Sequence, residues 1–300
     1  MAGAAIRVTA RAKINLYLQV TGRRADGYHE LDSLVAFADL GDSVEAAPAA
    51  DLSLVIEGPF AAGLSDGTDN LVLRAATALR DALAAKGVRV GGARLRLTKN
   101  LPVASGIGGG SADAAAALRA LRTLWKPLPG LVDLAALGLG LGADLPVCLA
   151  SGPRFVGGIG ERLDPVPGLP AAWLLLVNPR VALPTPAVFA ARQGSFSLPA
   201  RWSDATPDLA ALVRRLMGCR NDLTAPARSI APAIGEVLEA IEALPGVRLA
   251  RLSGSGATCF GIFATAAEAV AGRAEIAHRH PAWWCAAAPM LTADAEPPLS

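Results

Sequence analysis

Three hundred residues, 52% hydrophobic and 18% charged, make a globular chain long enough for one large or two medium domains and exclude a disordered one. A net charge of +2 carried by scattered arginines excludes nucleic acid or anionic lipid as the main partner, and an aromatic content of 5% argues against a stacking platform for single strands. Cys148, Cys219, Cys259 and Cys285 lie far apart in apolar surroundings with no CxxC spacing, which reads as reduced, buried thiols.

In chain order, Ile6 to Val20 reads as a strand interrupted by the hydrophilic Arg11-Ala12-Lys13-Ile14-Asn15. A turn over 21–27 leads to Tyr28-His29-Glu30-Leu31, and further strands fit Ser43 to Ala46 and Asp51 to Glu57. Asp69-Asn70 caps a helix from Leu71 to Lys86, ended by Gly87. Arg94 to Thr98 alternates charged and apolar residues, the mark of a half-exposed strand in a mixed or antiparallel sheet. A helix follows from Ala112 to Trp125, stopped at Lys126-Pro127, and a shorter one fits Val132 to Leu139. Gly138-Leu-Gly140-Leu-Gly142 reads as a loop, and the Gly/Pro-rich stretch 151–169 as a domain junction, which divides the chain into 1–155 and 156–300.

Beyond the junction, Trp173 to Val177 is a buried strand and Thr185 to Phe189 a short helix, while 194–206 is a surface loop. Ile230 to Leu244 is an amphipathic helix, Leu249 to Ser253 and Cys259 to Phe263 are strands, and Glu268 to Arg279 is the last helix. The order is α+β with mixed sheets. The opening segment Met1 to Val8 has no signal-like apolar core, and no window reaches about 18 uninterrupted apolar residues, so a cytoplasmic protein without membrane spans is expected. His278-Arg279-His280 reads as surface, and no residues stand at a recognisable metal spacing.

The chemistry gathers at Pro102-Val103-Ala104-Ser105-Gly106-Ile107-Gly108-Gly109-Gly110-Ser111-Ala112. Its glycines allow close backbone approach, and the helix behind it offers unpaired N–H groups and a positive dipole end to an anion. A P-loop is excluded because no lysine follows until Lys126, and a dinucleotide motif because Ser111 takes the third glycine position. Arginine outnumbers lysine 24 to 4, so the lysines that remain, Lys13 and Lys99 among them, mark places where a compact charge is wanted. Lys13 lies inside an apolar strand, where it is either an edge residue pointing to solvent or a buried lysine that needs a carboxylate or phosphate partner. Asp144, in Gly142-Ala-Asp-Leu-Pro146, is either a helix cap or a carboxylate that accepts a hydroxyl proton.

Three segments in order, Ala12-Lys13-Ile14-Asn15-Leu16, the loop 102–111 and Leu252-Ser-Gly254-Ser255-Gly256-Ala257, resemble the motifs of the GHMP kinases. The resemblance spans nearly the whole chain and is sharpened by Asp26-Gly-Tyr-His-Glu-Leu31, Asn178-Pro, Pro184-Thr-Pro-Ala-Val-Phe189 and Asn221-Asp-Leu. It implies a two-domain α+β fold, with a ribosomal-S5-domain-2-like N-terminal domain, a ferredoxin-like C-terminal domain and the site between them. It also implies ATP-dependent phosphorylation of the 2-hydroxyl of a cytidine-diphosphate methylerythritol, with Lys13 and Asp144 as the catalytic pair and Mg²⁺ accompanying ATP.

The loop 102–112 would wrap ATP, with Asn70 and Lys99 toward the nucleotide, and the third glycine motif contributes Gly254, Ser255 and Gly256. Asn15, Tyr28, His29, Thr185 and Phe189, together with Asp144, match substrate positions, Tyr28 and Phe189 as a sandwich for cytosine and His29 as reader of its polar edge. Two departures stand out: Val35 where the family often has phenylalanine in the pocket wall, and Ala104-Ser105 in place of a glycine-containing pair, a stiffer loop. A mevalonate-type or homoserine-type kinase, or a silent nucleotide-binding protein of the same fold, are the alternatives.

Overall fold

The computed structural model describes residues 5–295, so Met1–Ala4, the head of the segment searched for a signal, lies outside the described residues. The framework is a pair of unusually long strands, β1 (Ile6–Arg23) and β2 (His29–Ala49), antiparallel along nearly their whole lengths. Strands this long must twist and coil, and register shifts at Arg11/Lys13, Asn15/Tyr17 and Val20/Gly22 accommodate the bend. The separate strand expected at Ser43–Ala46 is the second half of β2.

β3 (Ser53–Glu57) precedes α1 (Leu71–Ala85), and β4 (Gly92–Thr98) follows it, parallel to β3. Asn70 caps α1 as expected, its side-chain oxygen accepting from the Val72 N–H at 2.9 Å. α2 (Gly109–Trp125) begins three residues earlier than its alanine run suggested, so Gly109, Gly110 and Ser111 form its first turn. Then come α3 (Leu134–Leu139), α4 (Leu145–Ala150), β5 (Arg154–Gly158) and β6 (Arg162–Pro165). Gly138 lies inside α3 and Gly140 caps its C-terminal end, which corrects the loop expected there.

The stretch 151–169 is corrected too. Its glycines make a hairpin, with β5 pairing β2 and β6 pairing β5, and the order β3-β4-β2-β5-β6 has β1 on the remaining edge of β2. The expected boundary at 155/156 falls inside β5, and the chain leaves this sheet only after Pro165.

The second sheet is built from β7 (Trp173–Asn178) and, after α5 (Thr185–Ala190), α6 (Leu209–Met217), α7 (Thr224–Ile230) and α8 (Ala233–Glu242), from β8 (Leu249–Leu252) and β9 (Cys259–Phe263). α9 (Ala266–Arg279) and β10 (Trp284–Pro289) complete it. The order β10-β7-β9-β8, all antiparallel, with α8 and α9 as crossovers, is the ferredoxin-like arrangement. The expected helix 230–244 is broken at Ala231-Pro232, because proline cannot donate to the preceding turn.

Strand alternation divides the core. Ala12, Ile14 and Leu16 of β1 face Leu174, Leu176, Phe260 and Ile262 of the second sheet, whereas Val35 and Phe37 of β2 pack under α1 and α2. Lys13 and Asn15 are the register partners of Phe37 and Val35, so they point to the helix side. Cys148, Cys219 and Cys259 are buried, as the sequence suggested, whereas Cys285 is only half-buried; burial pushes all four thiols up.

Candidate active site

Lys13 and Asn15 sit between two of the register shifts of β1, the kind of irregularity that re-aims side chains. The Lys13 stem is buried beneath Gly108: a Cβ there would lie 3.2 Å from Lys13 Cβ and 3.4 Å from Cε, so a side chain at that position would press on the lysine. Gly108 also has φ +68°, a left-handed conformation that suits glycine. The Lys13 ammonium donates to Asp144 Oδ2 at 3.0 Å. Asp144 occupies the N-cap position of α4, yet its side chain caps nothing; it turns to Lys13 and remains 48% exposed. The helix-cap reading is thereby set aside.

The loop 102–112 is pinned at one point and open at others. Ile107 is fully buried in the core between the sheets, and its carbonyl accepts from the Lys13 N–H at 2.9 Å. Pro102, Ser105 and Ala112 are buried, whereas Val103, Ala104 and Gly110 are exposed. Ala104 holds φ +50°, so the departure noted in the sequence places a Cβ where the backbone is left-handed. The first N–H groups of α2 have no intrahelical acceptors and face away from the helix body. A Cβ at Gly142 would be 4.0 Å from Ser111 Oγ, so the start of α2 and the segment bearing Asp144 face each other across a narrow gap.

Asn70 and Lys99 are placed differently from the expectation. The Asn70 amide is committed to α1 and to the Ser65 carbonyl, at 2.7 Å. The Lys99 ammonium is turned inward, bonded to Asp42 and, at 2.8 Å, to Asp113, with all three side chains nearly sealed. It lies 3.5 Å from where a Cβ of Gly109 would stand, directly under the first turn of α2. Burial works against the charge on Lys99, but Asp113 and Asp42 outweigh it and its pKa rises. Asp42 is further held by the N–H groups of Asn100 and Leu101, at 2.5 and 2.8 Å. Neither Asp42 nor Asp113 was given a role from the sequence: Asp42 precedes the strand expected from Ser43, and Asp113 lies in the helix expected from Ala112.

On the other wall, Tyr28 is 61% exposed, which removes it from the core, and His29 opens β2. The ring contact described here is His29 on Phe189, stacked at 5.1 Å and 27°, and Phe189 is half-buried on α5. Burial, then the charges of Arg23 and Arg192, lower the His29 pKa, so the imidazole is neutral at pH 7 and offers one donor and one acceptor. Thr185 opens α5 and its hydroxyl meets Ser255 Oγ at 2.8 Å, linking that helix to the third glycine motif. The Asn15 amide donates to Ser33 Oγ at 2.8 Å, while its buried Oδ1 has no partner among the described residues. Val35 is a core residue beside Asn15. No group of three or more His, Cys, Asp or Glu placed to hold a metal occurs among the described residues.

Comparison with known proteins gives this cleft a lineage. The GHMP kinases N terminal domain model matches residues 70–152, and the GHMP kinases C terminal model residues 206–280. A 4-diphosphocytidyl-2-C-methyl-D-erythritol kinase of Paramagnetospirillum magneticum is 52% identical over 285 residues, 95% of this chain and 98% of its own. Its counterpart from Paracoccus denitrificans is 53% identical, covering 96% and 97%. The crystal structure of a 4-(cytidine 5'-diphospho)-2C-methyl-D-erythritol kinase superposes with TM-score 0.75 at 34% identity, over 95% of this chain and 99% of that one. A homoserine kinase from Cytophaga hutchinsonii reaches TM-score 0.74 over 97% and 96% but only 17% identity, a likeness of fold alone. The chain therefore belongs to the GHMP kinases and, within them, to the family of the 4-diphosphocytidyl-2-C-methyl-D-erythritol kinases.

Proposed function

We propose that the protein transfers the γ-phosphoryl group of ATP to the 2-hydroxyl of 4-diphosphocytidyl-2-C-methyl-D-erythritol, in the cytoplasm. The observation that carries this reading is the Lys13–Asp144 pair, a buried ammonium holding a half-exposed carboxylate opposite the start of α2. The free N–H groups of Gly109, Gly110 and Ser111 suit the phosphates of ATP. Among the described residues Asp144 is bonded through Oδ2 to Lys13 alone, and its exposed edge accepts the proton as the substrate hydroxyl oxygen attacks the γ-phosphorus. The new O–P bond forms as the bond from the γ-phosphorus to the bridging oxygen breaks, and ADP leaves. Lys13 holds the carboxylate in place.

ATP reaches such sites as a Mg²⁺ complex, and the ion supplies charge neutralisation to the phosphates. The Ser111 hydroxyl is a hard oxygen donor near the start of α2, which would fit an ion already held by phosphates and needing few protein ligands. Tyr28, exposed, and Phe189, half-buried and already stacked on His29, supply apolar faces for a cytosine. Among the described residues no helix is long and apolar enough to cross a membrane.

The test is ADP release measured with a panel of cytidylated and uncytidylated polyols. Turnover confined to the cytidylated methylerythritol is expected. Equal turnover of an uncytidylated polyol would sink the substrate assignment, and no turnover with any acceptor would favour a silent nucleotide-binding protein.

A further inference from the structure

The Ser253–Gly256 loop between β8 and β9 is built into the back of the ATP loop. Thr258 N–H donates to the Ser105 carbonyl at 3.0 Å, and Ser253 Oγ to the Gly106 carbonyl at 3.2 Å. The two backbones are so close that a Cβ at Gly106 would stand 2.4 Å from the Gly256 carbonyl oxygen. A shift of one loop must therefore move the other. Gly254 and Gly256 have φ +57° and +91°, and glycines of this kind give a loop little stiffness of its own.

The stiffness comes from the far side. The buried Asn221 amide donates to the carbonyls of both Leu252 and Gly254, each at 2.8 Å, bridging the mouth of the loop. Its Oδ1 accepts from the Leu223 N–H at 2.9 Å, so the amide cannot turn without losing three bonds. Its backbone neighbours are tied to Leu18 of β1: Leu18 N–H donates to the Arg220 carbonyl at 3.1 Å, and Asp222 N–H to the Leu18 carbonyl at 2.8 Å. β1 is also the strand that carries Lys13 and Asn15.

We propose that Asn221 is a positioning residue for ATP, acting through the Leu252 and Gly254 carbonyls to set the third glycine loop against Ser105 and Gly106. The proposal rests on the reading above only in placing ATP on the loop 102–112. It assigns the Asn221-Asp222 pair two separate tasks. Asp222 does not reach the glycine loop; its carboxylate accepts from Val20 N–H at 2.8 Å, from Ser197 Oγ at 2.7 Å and from Arg220 at 2.6 Å, and so holds strand and surface loop together.

The experiment compares Asn221→Asp with Asp222→Asn, measuring KM for ATP, KM for the cytidylated acceptor, melting temperature and, without turnover, the Kd of a fluorescent ATP analogue. Asn221→Asp keeps the shape but removes both donors. It should raise KM for ATP and Kd for the analogue about tenfold while leaving the acceptor KM within about twofold. Asp222→Asn should lower the melting temperature and leave ATP binding unchanged. Should Asn221→Asp not fold, Asn221→Ser, too short to bridge both carbonyls, should show the same split. A fall in melting temperature with unchanged nucleotide Kd, or equal rises of both KM values, overturns the proposal. Because nucleotide binding is read directly, that outcome is distinct from a failure to turn over the cytidylated acceptor.

Discussion

Two lysine–carboxylate clusters lie within the same wall of this kinase, and they differ in one respect that separates their roles. Around Lys13 the carboxylate partner, Asp144, is 48% exposed, whereas around Lys99 the partners Asp42 and Asp113 are 0% and 4% exposed. A carboxylate at the surface of a cleft can be approached by a hydroxyl and can exchange a proton with it. Sealed carboxylates can only hold their neighbours in place, and removing their countercharge leaves them stranded. On the proposed mechanism the first cluster does the chemistry, and the second is a post under the first turn of α2, beneath the proposed phosphate site.

The sharpest way to break this comparison is Asp144→Asn. The amide keeps the shape and the contact with Lys13 but cannot take a proton, so kcat should fall by about 10²–10⁴ while ATP still binds and the melting temperature holds. Near wild-type kcat in the purified variant would remove Asp144 from the chemistry. Lys13→Met should follow it in activity, with only a small loss of stability, because Asp144 is left facing solvent.

Lys99→Met should behave in the opposite way. It leaves the buried Asp42 carboxylate without its countercharge and Asp113 without its hydrogen-bond donor, a loss of about 3–5 kcal/mol in denaturant unfolding. If Lys13→Met proves as destabilising as Lys99→Met, exposure is not what separates the two clusters.

The contrast was half legible in the sequence. A lysine inside an apolar strand and an aspartate between Gly-Ala and Leu-Pro are anomalies that sequence alone can register, and the fold brings the two together. Lys99 was noticed too, as one of four lysines, but its direction was misread. Its partners lie 57 and 14 residues away, and only the long reach of β2 brings Asp42 under α2. The same length of β2 hid the N-terminal sheet. Ser43 to Ala46 reads as a separate strand and the glycines of 151–169 as a junction, until β5 is seen to use β2 as its partner. β10, a run of Cys285-Ala-Ala-Ala288 with little strand propensity, is made a strand by pairing with β7. Local pattern picked out Lys13, Lys99 and Asp144; non-local pairing decided which way their side chains turn.

The smallest effect expected, and the one that tests how the sealed cluster is charged, belongs to Asp113→Asn. Burial raises the Asp113 pKa above the carboxylate range, Lys99 opposes the shift, Asp42 adds to it, and the net direction is upward. Its Oδ1 is buried with no partner among the described residues, consistent with a group that is not stabilised as a full anion. A folded carboxyl that keeps its proton while the unfolded one has lost it binds more protons in the folded state. Its contribution to stability is therefore present below the unfolded pKa, about 4, and is lost as pH rises through the raised folded value. Asparagine cannot titrate, so the variant should lose less stability than the wild type as pH is raised from about 4 to neutrality. At neutral pH the two should lie within about 1 kcal/mol, since the amide keeps an acceptor for Lys99 and gains a buried N–H without one. Urea unfolding of both proteins across that pH range checks this. Parallel stability profiles would mean that Asp113 is ionised beside Lys99 throughout, and that the post under α2 carries a net negative charge.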